Sequence, residues 1–295
     1  MRIRRKASIY PILVHVILSM FALAAIVPLI LVVIISLTPE KLFWTDGYSF
    51  FPKRFSFLAY KTVFQNPRQI LDSYAVSLLV TSIGTLGSVW LTASLSYVLC
   101  RRKYALRSTI SFLVFFTMIF NGGVVPSYIL IASWLHLKDS LLALILPGMV
   151  VGFNVYLMRG YLQEIPNELI ESAYIDGANE LKIFTKIVLP IATPALATVG
   201  LLVAFTYWNN WMDSYLYIAS DNKISLQFML IKVIQHLQFL NSEFARSTLN
   251  LSSQEIPSDS ARMAICILVA GPMMIVFPFF QKYFRKGLTV GAVKG

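Results

Sequence analysis

Asn209 and Asp213 stand four residues apart in an otherwise apolar run, with Trp208, Trp211 and Tyr215 beside them. On a helix that spacing sets the amide and the carboxylate on one face. Amides, a carboxylate and aromatic rings suit a polyhydroxylated ligand, whose hydroxyls need hydrogen bonds and whose pyranose faces stack on rings. An acid in an apolar run is costly unless it faces water or a partner. The competing reading is an aromatic belt at a membrane interface, with Asp213 simply near water. Asp213 lies about 23 residues beyond Pro190, or roughly 34 Å of helix at 1.5 Å per residue. Asn121 and Asn154, polar groups in other apolar runs, are further candidates for the same path; interhelical hydrogen bonding explains them equally well.

No other residues assemble into a reaction centre. A Gly-x4-Gly-Lys-Ser/Thr phosphate loop is absent from the sequence, so the chain has no ordinary cradle for ATP phosphates. His15, His136 and His236 have no carboxylate or cysteine at ligand spacing. The serines form no nucleophile elbow. Cys100 and Cys266 lie far apart in apolar runs, with neither metal spacing nor a disulfide framework. The chain is therefore expected to be no enzyme and to bind no cofactor or metal. Energy for any transport must come from partners or from an ion gradient.

Composition sets the class. Hydrophobic residues make up 57% and charged residues 13%, which excludes an ordinary soluble domain. The formal charge of +11 invites a nucleic-acid reading, but Lys and Arg collect at the ends of apolar runs, as positive-inside sorting requires. Six spans are expected, at about 12–37, 72–100, 106–134, 140–159, 191–219 and 260–283, in one all-α membrane domain covering 1–295. The first resembles a signal peptide in its basic start, but its core is too long and lacks a cleavage site. Segments 38–71 and 220–259 fall outside, and the loop 160–190 and both termini inside. The clusters at Arg2, Arg4, Arg5 and Lys6, at Arg101, Arg102 and Lys103, and at Lys282, Arg285 and Lys286 decide that orientation. Asn121-Gly122-Gly123 and Pro126 should break the third span.

The loop from Glu164 to Pro190 is polar yet carries its own helix signals. Pro166 suits a first turn, and Glu168 and Glu171 are acids near it. Leu169, Ile170, Ala173 and Tyr174 form an apolar set by period. Asp176-Gly177 is a stop, and Asn179 caps a second short helix bearing Leu181, Ile183, Phe184 and Ile187. Pro190 closes it. An ordinary amphipathic interfacial helix pair is the plain alternative.

The order Glu171-Ser172-Ala173, Gly177, then Ile187-Val188-Leu189-Pro190 resembles the EAA loop of binding-protein-dependent ABC importers; only Ser172 departs from Glu-Ala-Ala. The resemblance extends along the chain through Phe120-Asn121-Gly122-Gly123, Leu146-Pro147, Phe153-Asn154, Trp208-Asn209-Asn210-Trp211 and the tail Gly291-Ala292-Val293-Lys294-Gly295. It is to the carbohydrate permeases, including the second membrane subunit of the maltose importer, and within them to the oligosaccharide and alginate importers. The family implies a bacterial cytoplasmic (inner) membrane and four partners: a second homologous permease, two ATPase subunits and an extracytoplasmic solute-binding protein. ATP and Mg would sit on the ATPase subunits. Glu171, Ser172, Ala173, Asp176, Gly177, Ile187, Leu189 and Pro190 would form the coupling element, segment 220–259 would reach toward the binding protein, and the tail toward the ATPases. A solvated connector and a frayed end are the plain readings of those last two segments.

Two other classes remain. An ion-driven secondary transporter would show inverted repeats and paired broken helices, and the sequence announces one broken span. A membrane-embedded enzyme on lipid-linked sugar would need converging acids or histidines, and only Asp213 is available.

Overall fold

Helix breaks, more than helix lengths, set the plan of the chain. The computed structural model describes residues 9–101, 104–242 and 257–291. Outside them fall Arg2, Arg4, Arg5 and Lys6, Arg102 and Lys103, residues 243–256 of the second external segment, and tail residues 292–295. All regular structure among the described residues is helical. By contact the chain divides into two units, residues 1–66 with 230–270, and residues 67–229 with 271–295.

In the first unit, α1 (Ile9–Ser36) is a helix without Asp, Glu, Lys or Arg, and its residues 21–30 are exposed on every side. A helix apolar all round belongs against lipid or another protein surface. Pro28 lies within it, as membrane helices tolerate. Ser36 ends the helix with its Oγ donating to Val33 O at 2.7 Å and 3.0 Å from Tyr60 Oη. The short helices α2 (Glu40–Asp46) and α3 (Leu58–Val63) follow. The Glu40 carboxylate accepts from the backbone N–H of Asp259 at 3.0 Å, and from the N–H and hydroxyl of Ser260 at 3.2 and 3.0 Å. An acid from far along the chain thus caps the first turn of the last helix, where orphan N–H groups and the helix dipole favour it.

The second unit is built on α4 (Pro67–Cys100), 34 residues without a break. After it come α5 (Arg107–Ile119), α6 (Val124–Tyr128) continuing as a π turn to Trp134, α7 (Leu142–Ile145) and α8 (Gly152–Gln163). Then follow α9 (Asn167–Ile175), α10 (Glu180–Ile183), a π turn over Phe184–Val188, α11 (Leu189–Ile191), α12 (Thr193–Asn209) and α13 (Met212–Tyr217). Two helices, α14 (Leu226–Leu240) and α15 (Asp259–Gly291), contribute residues to both units.

Among the described residues three helices are long and apolar enough to cross a membrane, Leu13–Ser36 of α1, α4 and Asp259–Phe279 of α15. Six segments qualify when each bent pair counts as one span. The bends are 118° between α5 and the α6 segment, 51° between Leu142–Gly148 and α8, and 81° between Glu180–Ile191 and α12. The first falls at the Asn-Gly-Gly sequence: Gly123 has φ +84, and Asn121 Oδ1 accepts its N–H at 2.9 Å. The second differs from the sequence reading, which expects a continuous span over 140–159, and the third falls two residues beyond the helix end expected at Pro190. Val151 is extended after Pro147-Gly148, and Ala192 leaves helical geometry two residues before Pro194, whose ring clashes with the carbonyl four residues back and which has no N–H to continue the ladder.

Small side chains let α4 lie close to α8 and α12. Ser73, Ser77, Gly84, Ser88, Thr92 and Ser96 are all buried along it, and Ser96 Oγ donates to Val155 O at 2.9 Å. Short residues permit close backbone approach in membrane helices. Tyr207 of α12 fills the remaining space, its hydroxyl donating to Ile145 O at 2.6 Å. A Cβ added at Gly84 would stand 2.6 Å from the Tyr207 ring, and one at Gly148 2.9 Å from it. Because that buried ring is fixed by its hydrogen bond, Gly84→Val should overpack the joint and destabilise the fold by about 1–3 kcal/mol. Thermal unfolding of the purified protein in detergent would show the loss.

Candidate functional site

The segment after α8 forms an elbow closed by local hydrogen bonds. Gly177 sits at φ +73, Ala178 N–H reaches Ala173 O at 2.9 Å, and Gly177 N–H reaches Tyr174 O at 3.0 Å. This paired closure ends α9, and the left-handed residue within it favours glycine. Asn179 Oδ1 then accepts Lys182 N–H at 2.9 Å and starts α10. The apolar sets expected by period do not stay together. Ile170 and Ala173 are buried, as are Ile183, Phe184 and Val188, whereas Leu169, Tyr174, Ile175 and Leu181 are exposed. Ile175 is 87% exposed, an apolar side chain left open on a polar loop.

Placement of the expected coupling residues follows that split. Glu171, Ser172, Asp176 and Gly177 are exposed, Ala173 is buried, and Ile187 and Leu189 are half-buried. Pro190 does not end the helix; it lies inside α11. The π turn just before it widens the hydrogen-bond ladder, which accommodates a ring without an N–H. The chain turns instead at Ala192.

What ties the elbow to α4 escapes the sequence reading. Phe184 is packed against Trp90 and Tyr97, with ring centroids 5.7 and 5.0 Å away. Glu180 accepts from Tyr97 Oη at 2.5 Å and from Tyr174 Oη, and its carboxylate lies 3.8 Å from Arg101 Nε. The hydrogen bond to Glu180 raises the pKa of the Tyr174 hydroxyl, with burial adding to it. One carboxylate therefore joins α9, α10 and the end of α4. The sequence signal was slight, an acid at the first position of a helix only four residues long.

A second joint ties Asp139 to residues 219–223. Asp139, at φ 60, accepts the N–H groups of Ala219 and Ser220 at 3.1 and 2.9 Å and the Ser220 hydroxyl at 2.6 Å. Lys223 Nζ donates to its Oδ2 at 3.0 Å and to its backbone oxygen at 2.8 Å. The Ser220 bonds, then Lys223, hold the Asp139 pKa well below the usual carboxylate range. A depressed folded pKa contributes stability above the unfolded value and loses it as pH falls through the folded value. The stability gap between wild type and Asp139→Asn should therefore hold constant from neutral pH down to about pH 4, the ordinary carboxylate value. Below that it should narrow, as thermal unfolding across a pH series would show.

The residues expected to line a path divide into several settings. Trp208 is buried against Tyr74, with ring centroids 6.5 Å apart. The helix carrying Asn209 stops there, Asn210 is extended, and α13 begins at Met212. Asn209 and Asp213 thus share no continuous helix face. Asn209 donates back to Phe205 O at 2.9 Å, while Asn210 Nδ2 donates to Asp213 Oδ2 at 2.6 Å and its Oδ1 accepts Asp213 N–H at 3.2 Å. Adjacent amides made the register ambiguous, and the break selected the second. Trp211 and Tyr215 are exposed, 6.3 Å apart, and Tyr215 meets Phe228 edge-on at 5.7 Å. Asn121 is committed to its own turn, and Asn154 is buried in α8. No group of three or more His, Cys, Asp or Glu that could hold a metal occurs among the described residues.

Comparison with known proteins matches this architecture end to end. The family model described as "Binding-protein-dependent transport system inner membrane component" covers residues 10–290. The Polygalacturonan/rhamnogalacturonan transport system permease protein YtcP of Bacillus subtilis (strain 168) is 37% identical over 98% of this chain and 100% of its own. The Arabinooligosaccharides transport system permease protein AraQ of the same organism is 28% identical over 98% and 97%. Among solved structures, a chain of a bacterial ABC transporter involved in the import of the acidic polysaccharide alginate superposes with a TM-score of 0.79. It shares 32% identity and aligns over 96% of this chain and 99% of that one. Matched across nearly its whole length, the chain belongs to the family of binding-protein-dependent transport system inner membrane components.

Proposed function

We propose that this chain is a permease subunit of an ATP-driven ABC importer for carbohydrate, of oligosaccharide or polysaccharide size, and that residues 164–190 transmit the ATPase cycle to the spans. The observation that carries the reading is the elbow itself. Two short helices present Leu169, Ile175 and Leu181 outward, while Phe184 and Glu180 fasten them to α4. Exposed apolar groups on a stiff mount suit a partner's cleft. In this reading the loop faces the cytoplasm, and ATP and Mg belong to two ATPase subunits. A second permease completes the pathway, and a binding protein delivers sugar from outside. Movement of the ATPases is carried by the elbow as a rigid body and rocks the spans. Trp211 and Tyr215 offer ring faces to sugar, and the Asn210–Asp213 pair offers hydrogen bonds. The names of the relatives favour polymeric sugars, including acidic ones.

Copurification from detergent with the products of neighbouring genes tests this, followed by ATPase assays with binding protein loaded with uronate or neutral oligosaccharides. A complex containing two ATPases, stimulated by loaded binding protein, is expected, and the stimulating sugar names the substrate. A chain that purifies alone and transports on an ion gradient in proteoliposomes would remove the reading.

A further inference from the structure

At the end of the second unit that carries the elbow lies a cavity of about 310 Å³, lined by Tyr97, Cys100, Arg101, Arg107, Gln163 and Asn167 among others. We propose that it binds a phosphate-bearing anion, clamped between the end of α4, the start of α5 and the first turn of α9.

Three features make the lining cationic, against the opposing charges of Glu168 on the same first turn of α9 and Glu180 beside Arg101. Arg101 Nε and Nη2 are buried without a hydrogen-bond acceptor. Its carboxylate neighbour, Glu180, stands 3.8 Å from Nε, beyond hydrogen-bond reach, and the Tyr97 ring covers its guanidinium carbon at 4.1 Å. A desolvated guanidinium with unfilled donors is costly until an acceptor arrives. Arg107 spends Nε on Leu99 O at 2.8 Å, which fixes its fork, and has no carboxylate partner among the described residues. The third feature is α9, nine residues long, whose N-cap is Pro166 and whose first turn has no side-chain cap. Asn167, at that first turn, lines the cavity. Unfilled N–H groups at a helix start attract anions.

Two guanidinium forks and a helix start match the tetrahedral, multiply charged oxygens of phosphate. The shared chemistry has two sources. One is the headgroup of an acidic phospholipid, since the cavity lies where α4 ends at Cys100 and α5 begins at Arg107, the depth of a headgroup layer if these are spans. The other is free inorganic phosphate. Either would join the first turn of the proposed coupling helix to the ends of two spans, so its consequence for transport rests on the coupling reading above.

Gln163 provides the test because it is exposed at the end of α8, on the cavity's rim. Gln163→Glu and Gln163→Lys perturb shape similarly and differ in sign. A unit charge at a half-solvated site should change anion affinity by roughly tenfold, in opposite directions for the two variants. The assembled complex would be placed in nanodiscs of phosphatidylcholine alone or mixed with phosphatidylglycerol. Retained phosphatidylglycerol would be counted by native mass spectrometry, and radiolabelled inorganic phosphate binding measured in the neutral discs. Retention that falls with Glu and rises with Lys identifies a lipid headgroup site; phosphate binding in the same order identifies the free anion. If neither ligand responds to the sign at position 163, the proposal is overturned. Sugar-stimulated ATPase in the same discs separates the two readings. Normal stimulation without charge-dependent binding removes the anion site alone, and charge-dependent binding without stimulation in any disc removes the coupling reading alone.

Discussion

Gly177→Pro should abolish sugar uptake, by more than about a hundredfold, while leaving the chain inserted and assembled. Gly177 adopts φ +73 and donates its N–H to Tyr174 O. Proline is held near φ −65° and has no N–H, so both features fail together, at a local cost of roughly 3 kcal/mol. The turn that sets the angle between α9 and α10 should then open, and on the proposed coupling reading motion of the ATPases should no longer reach α4. Gly177→Ala keeps the N–H and meets only the left-handed penalty, about 1–2 kcal/mol, so partial uptake should survive. Uptake by vesicles, read beside immunodetection of the assembled complex, distinguishes uncoupling from misassembly. Wild-type uptake by the proline variant would remove the elbow from the mechanism.

Glu180→Ala should have the next largest effect, and on a different quantity. Basal ATPase activity of the assembled complex should persist, while stimulation by loaded binding protein is lost. The substitution leaves the Tyr97 and Tyr174 hydroxyls without their shared acceptor and removes the charge that stands 3.8 Å from Arg101 Nε. Each orphaned hydroxyl costs on the order of 1 kcal/mol, at the low end because the Glu180 side chain is 55% exposed and water partly compensates. Global stability therefore changes little, and the loss falls on the link between α10 and α4. Glu180→Gln keeps an oxygen for a tyrosine but removes the charge facing Arg101, so stimulation should be intermediate. Equal loss of basal and stimulated activity in both variants would mean that Glu180 merely supports assembly.

Much of this was legible in the residues. Gly177, Asn179 and the Gly122-Gly123 break each have a local physical cause, a positive φ or a cap, and local causes are written in short sequences. Long-range partners are not. The convergence of Tyr97, Tyr174 and Arg101 on Glu180 spans 83 residues between Tyr97 and its acceptor, and Asp139 finds Ser220 across 81. Nothing in local periodicity encodes such pairings. The path residues show a subtler limit. A 3.6-residue period assigns Asn209 and Asp213 to one face only while the helix continues, and the chain breaks between them. Tyr207, one residue before Trp208 in the same run, proves to be the side chain that closes the space between Gly84 and Gly148.

The most direct test of the account is a disulfide or short bifunctional crosslink from Ile175→Cys to a cysteine placed in the cleft of the ATPase subunit. The background would carry Cys100→Ser and Cys266→Ser, and the complex would be active and assembled. Ile175 is the most exposed apolar side chain of α9, and the account predicts an adduct between permease and ATPase that forms in every nucleotide state, as a rigid-body coupling element requires. A complex that transports normally yet gives no adduct from position 175, while positions elsewhere on the permease do, would contradict it.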